Sequence, residues 1–181
     1  MLRFLKYIIQ LILSPKNGWE DLAAQAPSEK VVLYKGFYPL LGISVATEFL
    51  ALVYHDASLL KVVVSALADF GAFFLALYLT RLVLSLALPN MCREVPDDNR
   101  IEMFSVVSVG LMVFFQIIDN VVPWSLMLLK FLPLYVILVL SKSFAYMGVR
   151  RECEMHFLIL AAAIVVAAPL GFYYLVYMLI K

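Results

Sequence analysis

Long apolar segments separated by short polar connections dominate the chain. The hydrocarbon core of a bilayer, about 30 Å thick, needs about 20 apolar residues per helix. Five segments reach that length and predict five transmembrane helices, at residues 31–54, 58–88, 101–122, 124–149 and 155–180. Pro89 and Pro123 stand where the second and third segments end, as expected of a residue that cannot continue a helix. The pattern predicts an all-α polytopic membrane protein, with residues 1–181 in a single membrane domain.

The residues before the first predicted span, 1–30, divide into two short helices. Arg3, Lys6 and Gln10 recur at helical spacing among apolar residues, which predicts an amphipathic helix lying at the membrane interface with its basic stripe toward the headgroups. A cleaved signal peptide is the alternative, since "AQA" at 24–26 resembles a cleavage site. Gln10 interrupts the apolar run that such a peptide needs, and we therefore favour the interfacial helix.

The polar stretch "SPKNGWED" (residues 14–21) joins these two helices. We expect Ser14 and Pro15 to end the first helix and Asn17–Gly18 to form a turn. Trp19 then serves with Arg3 and Lys6 as an interfacial anchor at the headgroup level, where both its ring and its N–H are accommodated.

Composition supports the membrane class. Of the 181 residues, 65% are hydrophobic and 15% are charged, which is more apolar surface than a water-soluble fold can hide. The net charge of +1 argues against a nucleic-acid partner, which needs a basic face. The two cysteines, Cys92 and Cys153, form no Cys-x-x-Cys motif, so no disulfide framework or structural zinc site is indicated.

Basic residues set the predicted orientation, because they concentrate in the connections that stay in the cytoplasm. They occur in the N-terminal segment and around the second and fourth connections: Arg3, Lys6, Lys16, Lys30; Arg81, Arg93, Arg100; Lys142, Arg150, Arg151. This places the N-terminus in the cytoplasm and the C-terminus outside, and we expect the bacterial inner membrane.

Ionisable residues within the predicted spans are the candidate functional site, because charges are costly there. From the rise of a helix, we expect Glu48, Asp69, Gln116 and Lys130 to lie in one layer of the outer half of the bundle. A carboxylate–ammonium pair there could form the base of a polar cavity. The alternative is that these groups only specify helix packing, or that Lys130 extends to the outer surface.

Catalytic and metal-binding motifs are absent from the sequence. The two histidines, His55 and His156, stand at span ends, and there is no H-E-x-x-H, G-x-S-x-G or Walker-type loop. We therefore expect no enzyme, catalytic residue, metal or cofactor. Pro39, Pro133 and Pro169 lie within spans and should kink them. Small residues at 163, 167 and 171 recur every four positions, a spacing typical of close helix packing within the fold or in a dimer.

Three stretches resemble the bacterial branch of the Yip1-domain family. "LILSPKNGWEDLA" (11–23) is similar to its N-terminal motif, "FYPLLGISVATEFL" (37–50) to its first span with Pro39 and Gly42 in matching places, and "FLPLYVILVLSKSFAYMGV" (131–149) to a later span that ends at a glycine. The resemblance implies five spans in the same orientation. Eukaryotic members of the family are small-GTPase-associated trafficking factors with a longer cytoplasmic N-terminal part. This sequence has only about thirty residues before its first predicted span, and this favours a bacterial protein. The resemblance to this family implies no reaction and no catalytic residues.

The sequence thus supports, first, a non-enzymatic membrane protein that organises lipids or membrane partners, including a homo-oligomer. The alternative is a carrier for a lipid or small solute that uses Glu48, Asp69 and Lys130. An intramembrane enzyme is the least favoured, since no nucleophile has a base at a suitable spacing.

Overall fold

The computed structural model describes residues 1–54, 58–122 and 131–180, and these residues form helices joined by short connections. In chain order the helices are α1 (Leu2–Leu13), α2 (Pro15–Gln25), α3 (Glu29–Tyr54), α4 (Leu59–Met91), α5 (Asp98–Val121), α6 (Leu132–Ser141), α7 (Phe144–Met147) and α8 (Glu154–Ala162, continued by Ala163–Ala167 and Ala168–Ile180). No strand occurs among them; an isolated β-bridge joins Cys92 and Val149. The predicted all-α class is confirmed.

Four of the described helices are long and apolar enough to cross a membrane: α3, α4, α5 and the stretch Arg151–Val176 that contains most of α8. The chain is therefore built as a multi-pass membrane protein. Of the fourth predicted segment, 124–149, the described part contains α6, with ten residues, and α7, with four. The remainder, 124–130, lies outside the described residues, so the count of five spans stays a prediction.

Helix α5 lies at the centre of the bundle. Of its most apolar stretch, 78% is buried, against 28–44% for the other three long helices. Helix α3 runs beside it in the same direction: the backbone N–H of Glu29 donates to Asn99 at one end, and Asn120 donates to Thr47 at the other. Helix α4 packs against both, and it connects the end of α3 to the start of α5.

Two in-span prolines follow π-helical turns. Pro39 comes just after the turn Leu33–Phe37, and Pro169 just after the turn Ala163–Ala167. A proline ring clashes with the carbonyl four residues earlier. A π turn relieves that clash by moving the hydrogen bond to the fifth residue back. The N–H of Tyr38 accordingly donates to the carbonyl of Leu33, the fifth residue before it.

Helix α1 docks against the centre of the bundle through one face. Phe4, Tyr7, Ile8 and Leu11 are buried, and they recur at the three- and four-residue intervals of a single helix face. Phe4 is seated where two helices lack side chains: an added Cβ at Gly36 would lie 2.6 Å from its Cγ, and one at Gly110 would lie 2.6 Å from its Cζ. Glycines at these two positions therefore create the site that receives the ring.

The predicted turn at Asn17–Gly18 is wrong, because both residues lie inside α2. Pro15 is the first residue of α2, and its fixed φ and missing N–H suit that position, so the helix starts at once after Ser14. Gly18 serves packing instead of a turn: a Cβ there would lie 2.8 Å from Cδ2 of Leu11 on the preceding helix.

Trp19 attaches α2 to the bundle instead of lying at the surface. Its side chain is only 2% exposed. The indole stacks on Phe104 with ring centroids 5.4 Å apart, and it also contacts Tyr146 at 5.1 Å. Its Nε1 donates a 3.0 Å hydrogen bond to the carbonyl of Val139, which satisfies the polar group that burial of a tryptophan must pair.

Candidate functional site

Helices α3, α4 and α5 bring polar side chains together between the spans. The structure places Glu48 from α3, Asp69 from α4 and Gln116 from α5 in one cluster, and Asn120 joins them one turn further along α5. Glu48 and Asp69 are 9% and 3% exposed, respectively, so neither carboxyl reaches the lipid-facing surface. The fourth residue predicted for this layer, Lys130, lies outside the described residues.

Amide donors converge on Glu48. Oε1 accepts a 2.7 Å hydrogen bond from Nδ2 of Asn120 and a 3.2 Å hydrogen bond from Nε2 of Gln116. The two amides are themselves linked, since Nε2 of Gln116 also lies 3.1 Å from Oδ1 of Asn120. Asn120 reaches α3 a second time through a 3.1 Å hydrogen bond to the hydroxyl of Thr47. N–H groups aimed at a carboxylate stabilise its charge where water is absent.

Asp69 has different surroundings. The turn of α3 that carries Glu48 packs against α4, and the Asp69 carboxyl interacts with the Glu48 carboxyl, so it has another acid as a neighbour. Its Oδ2 is buried and has no hydrogen-bond partner among the described residues. The hydroxyl of Ser44, one turn before Glu48 on α3, is also buried and unpartnered there. Buried polar atoms without partners are rare, and in a native protein they commonly mark a functional group or an ion.

The cluster is suited to holding a proton or a small cation. It contributes two carboxyls, two amides and hydroxyl groups, and none of these is a strong nucleophile next to a base. In the part of the chain that is described, no group of three or more His, Cys, Asp or Glu side chains could hold a metal ion. The predicted absence of catalytic residues and cofactors is not tested by this geometry.

Sequence reasoning missed Asn120, Thr47 and Ser44. Asn120 belongs to the polar run "DN" at 119–120, which resembles the start of a connection between spans and hid its place in the layer, although the predicted span 101–122 includes it. In the structure Asn120 lies within α5, which ends at Val121. Its signal was the interval of four from Gln116, which places both amides on one face of a helix. Arg3 and Lys6, predicted as interfacial anchors, are exposed on α1.

A second polar feature lies at the end of the bundle where α4 ends and α5 begins. The segments after α4 and after α7 are joined there, because the N–H of Arg93 donates to Gly148 and the N–H of Arg150 donates to Met91. Gly148 has φ 67°, a left-handed conformation that glycine adopts without strain. The bridge fixes both segments beside α2.

An open pocket of about 810 Å³ lies between α2 and these joined segments. Its apolar lining includes Trp19, Phe144, Tyr146 and Val149. Its charged lining comprises four basic and two acidic side chains: Lys16, Arg93, Lys142, Arg151, Glu20 and Glu154. Basic residues that are far apart in sequence thus line one pocket together with these apolar side chains.

Three of the four pocket cations have no carboxylate partner in the described ranges. Lys16 lies 3.9 Å from Glu20, and this is the ion pair at the pocket. Arg93, Lys142 and Arg151 are exposed and take part in none of the ion pairs that the described residues form. The pocket therefore keeps an excess of positive charge that a bound anion can neutralise.

No protein-family model, curated protein or solved structure matches this chain.

Proposed function

We propose that this chain is a non-enzymatic integral membrane protein that binds anionic lipid headgroups in the pocket beside α2. The observation that supports this proposal is that Lys16, Arg93, Lys142 and Arg151 line one pocket together with apolar side chains. Basic pockets between helices at the cytoplasmic side bind the headgroups of anionic lipids. By holding such lipids, the protein would organise the membrane around it.

The pocket suits an amphiphile with a phosphate group. Guanidinium and ammonium groups donate charge-assisted hydrogen bonds to phosphate oxygens. Among the described residues, neither Arg93 nor Arg151 forms an ion pair with a carboxylate that would compete. Trp19, Phe144 and Val149 offer apolar surface for the glycerol and upper acyl region of the same molecule. A free inorganic phosphate would use the cations alone.

Charge-neutralising variants test the proposal. The triple variant Arg93→Gln, Lys142→Gln, Arg151→Gln is compared with Arg3→Gln, Lys6→Gln, Lys30→Gln, which removes the same charge outside the pocket. Both are delipidated and returned to nanodiscs of mixed phosphatidylglycerol and phosphatidylcholine, and bound lipid is counted by native mass spectrometry. We expect the pocket variant to lose retained phosphatidylglycerol and the control to keep it.

Equal loss in both variants would show only general attraction to an anionic surface and would refute the pocket. Retention in the pocket variant would refute it as well. Inorganic phosphate is titrated in parallel: if it displaces the lipid at equal molar concentration, the site recognises free phosphate and the lipid proposal fails.

The orientation and family are proposed on the sequence. We propose an N-terminus in the cytoplasm, a C-terminus outside, a bacterial inner-membrane location, a fifth span in 124–149 and membership of the Yip1-type proteins. Under this proposal α1 lies along the interface, with its exposed Arg3 and Lys6 toward the headgroups. Labelling with an impermeant thiol reagent tests the orientation, because Cys153 should be protected in intact cells and labelled only after lysis.

A partner helix or a second copy of the chain is proposed at the small-residue stripe of α8. Ala163, Ala167 and Gly171 are exposed, so they do not pack against the described part of the fold. A Cβ added at Gly171 would meet nothing within 4 Å. Gly171→Leu should therefore weaken cross-linking between copies, whereas Gly42→Leu, at an equally open position on α3, should leave it unchanged. An unchanged Gly171→Leu variant contradicts this role.

A carrier is the second candidate, favoured by the buried cluster of Glu48, Asp69 and Gln116. A carrier must expose this cluster to each side in turn. Gln116→Cys, in a background with Cys92 and Cys153 replaced by Ser, should then react with impermeant reagents from both sides. Ser108→Cys, two turns away on α5, is the control, and it should react from neither side. Protection of position 116 from both sides excludes the carrier.

A further inference from the structure

The two buried carboxyls of the cluster differ in the donors that face them. Glu48 accepts hydrogen bonds from Asn120 and Gln116, whereas the Asp69 carboxyl has no donor among the described residues and lies against Glu48. Amide donors favour the ionised form of the acid that they contact. Glu48 is thus arranged to be the charged member of the pair.

Two adjoining carboxylates cannot both be ionised at low cost. Like charges repel strongly where the dielectric constant is low, and such a pair shares one proton, as in the aspartic proteases. A hydrogen bond between two carboxyls also requires that proton, because each carboxylate alone is only an acceptor. Asp69, which is 3% exposed and has no donor among the described residues, is the acid that must supply it.

We propose that Glu48 and Asp69 form a proton-binding site inside the helix bundle, in which Asp69 carries the proton and donates it in a hydrogen bond to ionised Glu48. This proton is the hydrogen-bond donor between the two carboxyls, each of which is only an acceptor when ionised. The unpartnered hydroxyl of Ser44 lies one turn from Glu48 and provides a further polar group beside the site. This site is independent of the lipid pocket.

Among the described residues, no basic side chain forms an ion pair with Glu48 or Asp69. Helix α5 faces it with the uncharged Gln116 and Asn120, and the nearby acid of that helix, Asp119, is exposed. Helix α8, which packs on α4 where Phe172 meets Gly71, has only tyrosines as titratable groups between residues 168 and 180. Loss of the proton would leave two adjacent negative charges with no cation paired to them among the described residues.

Infrared spectroscopy of the full chain in nanodiscs tests the site. At neutral pH we expect a carbonyl band of a protonated carboxylic acid. The band should shift when aspartate is labelled with 13C, and it should be absent in Asp69→Asn. Asp119→Asn, which changes an exposed acid, should retain the band. A wild-type spectrum without the band, a band unmoved by aspartate labelling, or a band that survives in Asp69→Asn overturns the proposal.

The pH dependence of unfolding gives a second measurement that needs no variant. Because folding takes up one proton at neutral pH, a rise of one pH unit should increase the unfolding equilibrium constant about tenfold. Asp69→Asn, which resembles the protonated acid in shape, should remove this one-proton slope, and Asp119→Asn should keep it. If Asp69→Asn does not fold, the wild-type slope and the labelled spectrum decide, and a wild type with neither signal refutes the site.

Discussion

A methyl group added at Gly110 should displace the ring that joins α1 to the bundle. The Cβ of Gly110→Ala would lie 2.6 Å from Cζ of Phe4 and 3.2 Å from its Cε1. The other end of the side chain is closely packed as well, because Gly36 approaches Cβ and Cγ of Phe4 where a larger residue would not fit. The clash therefore falls on the docked position of the whole helix.

The change in stability caused by Gly110→Ala is the sum of two opposing contributions. Overpacking a core by one methyl group costs about 1–3 kcal/mol. Replacing a helical glycine by alanine gains about 1 kcal/mol in helix propensity. Gly42→Ala on α3 obtains the second term alone, since nothing lies within 4 Å of its added Cβ. We expect Gly110→Ala to be less stable than Gly42→Ala by about 1–3 kcal/mol, the overpacking term.

Unfolding in mixed micelles of rising dodecyl sulfate content, followed by circular dichroism, measures both variants. The double-mutant cycle with Phe4→Ala isolates the contact: this change should cost about 3–5 kcal/mol alone, and it should abolish the penalty of Gly110→Ala. If the penalty persists when the ring is absent, the clash lies elsewhere and the docking of α1 described above is incorrect.

Three further predictions concern the contacts of α2 and the end of the bundle. Trp19→Phe keeps most of the stacking but removes the hydrogen bond to the carbonyl of Val139, which still accepts from the N–H of Lys142. Stability in the same micelle assay should therefore fall by about 0.5–1.5 kcal/mol, the value of one hydrogen bond. An unchanged midpoint contradicts the hydrogen bond. Burial raises the pKa of the Cys92 thiol. At neutral pH maleimide should therefore label Cys153 before Cys92, and the labelling of Cys92 should become faster as the pH rises. Equal labelling rates of the two thiols would contradict this prediction. Arg81 lies 2.6 Å from buried Glu102 and is itself half exposed. Arg81→Gln should lower the free energy of unfolding by about 1–2 kcal/mol, less than the loss of a partner from a fully buried pair. Glu102→Gln leaves no buried charge and should lower it by less in the same assay.

The long spans could be predicted because apolar length is a property of the sequence itself. Helices α3, α4 and α5 lie within a few residues of the segments at 31–54, 58–88 and 101–122. The layer of Glu48, Asp69 and Gln116 followed from the helical rise alone, because these three helices are long and nearly antiparallel or parallel to one another. The constant rise per residue of a helix thus made the depth of these side chains in the bundle predictable.

The N-terminal region could not be predicted in the same way. Asn17–Gly18 has the composition of a turn, but the local preference is overridden because Gly18 lets α2 approach Leu11 closely. The role of Trp19 depends on Phe104 and Tyr146, which no local pattern connects to it. Asn120 was missed because its partners are on another helix. Tertiary contacts decided each of these positions.

The seat of Phe4 also constrains the order in which the protein is assembled. Helix α1 precedes the long spans in the sequence, yet Gly110 lies in the third of them and Tyr135, whose hydroxyl donates to the carbonyl of Ile12, lies beyond it. Because a chain folds as it is made, α1 must wait undocked while those spans insert. The docking of α1 is then a late step of folding. A bulky fusion placed before α1 should therefore allow the spans to insert but prevent α1 from docking against them.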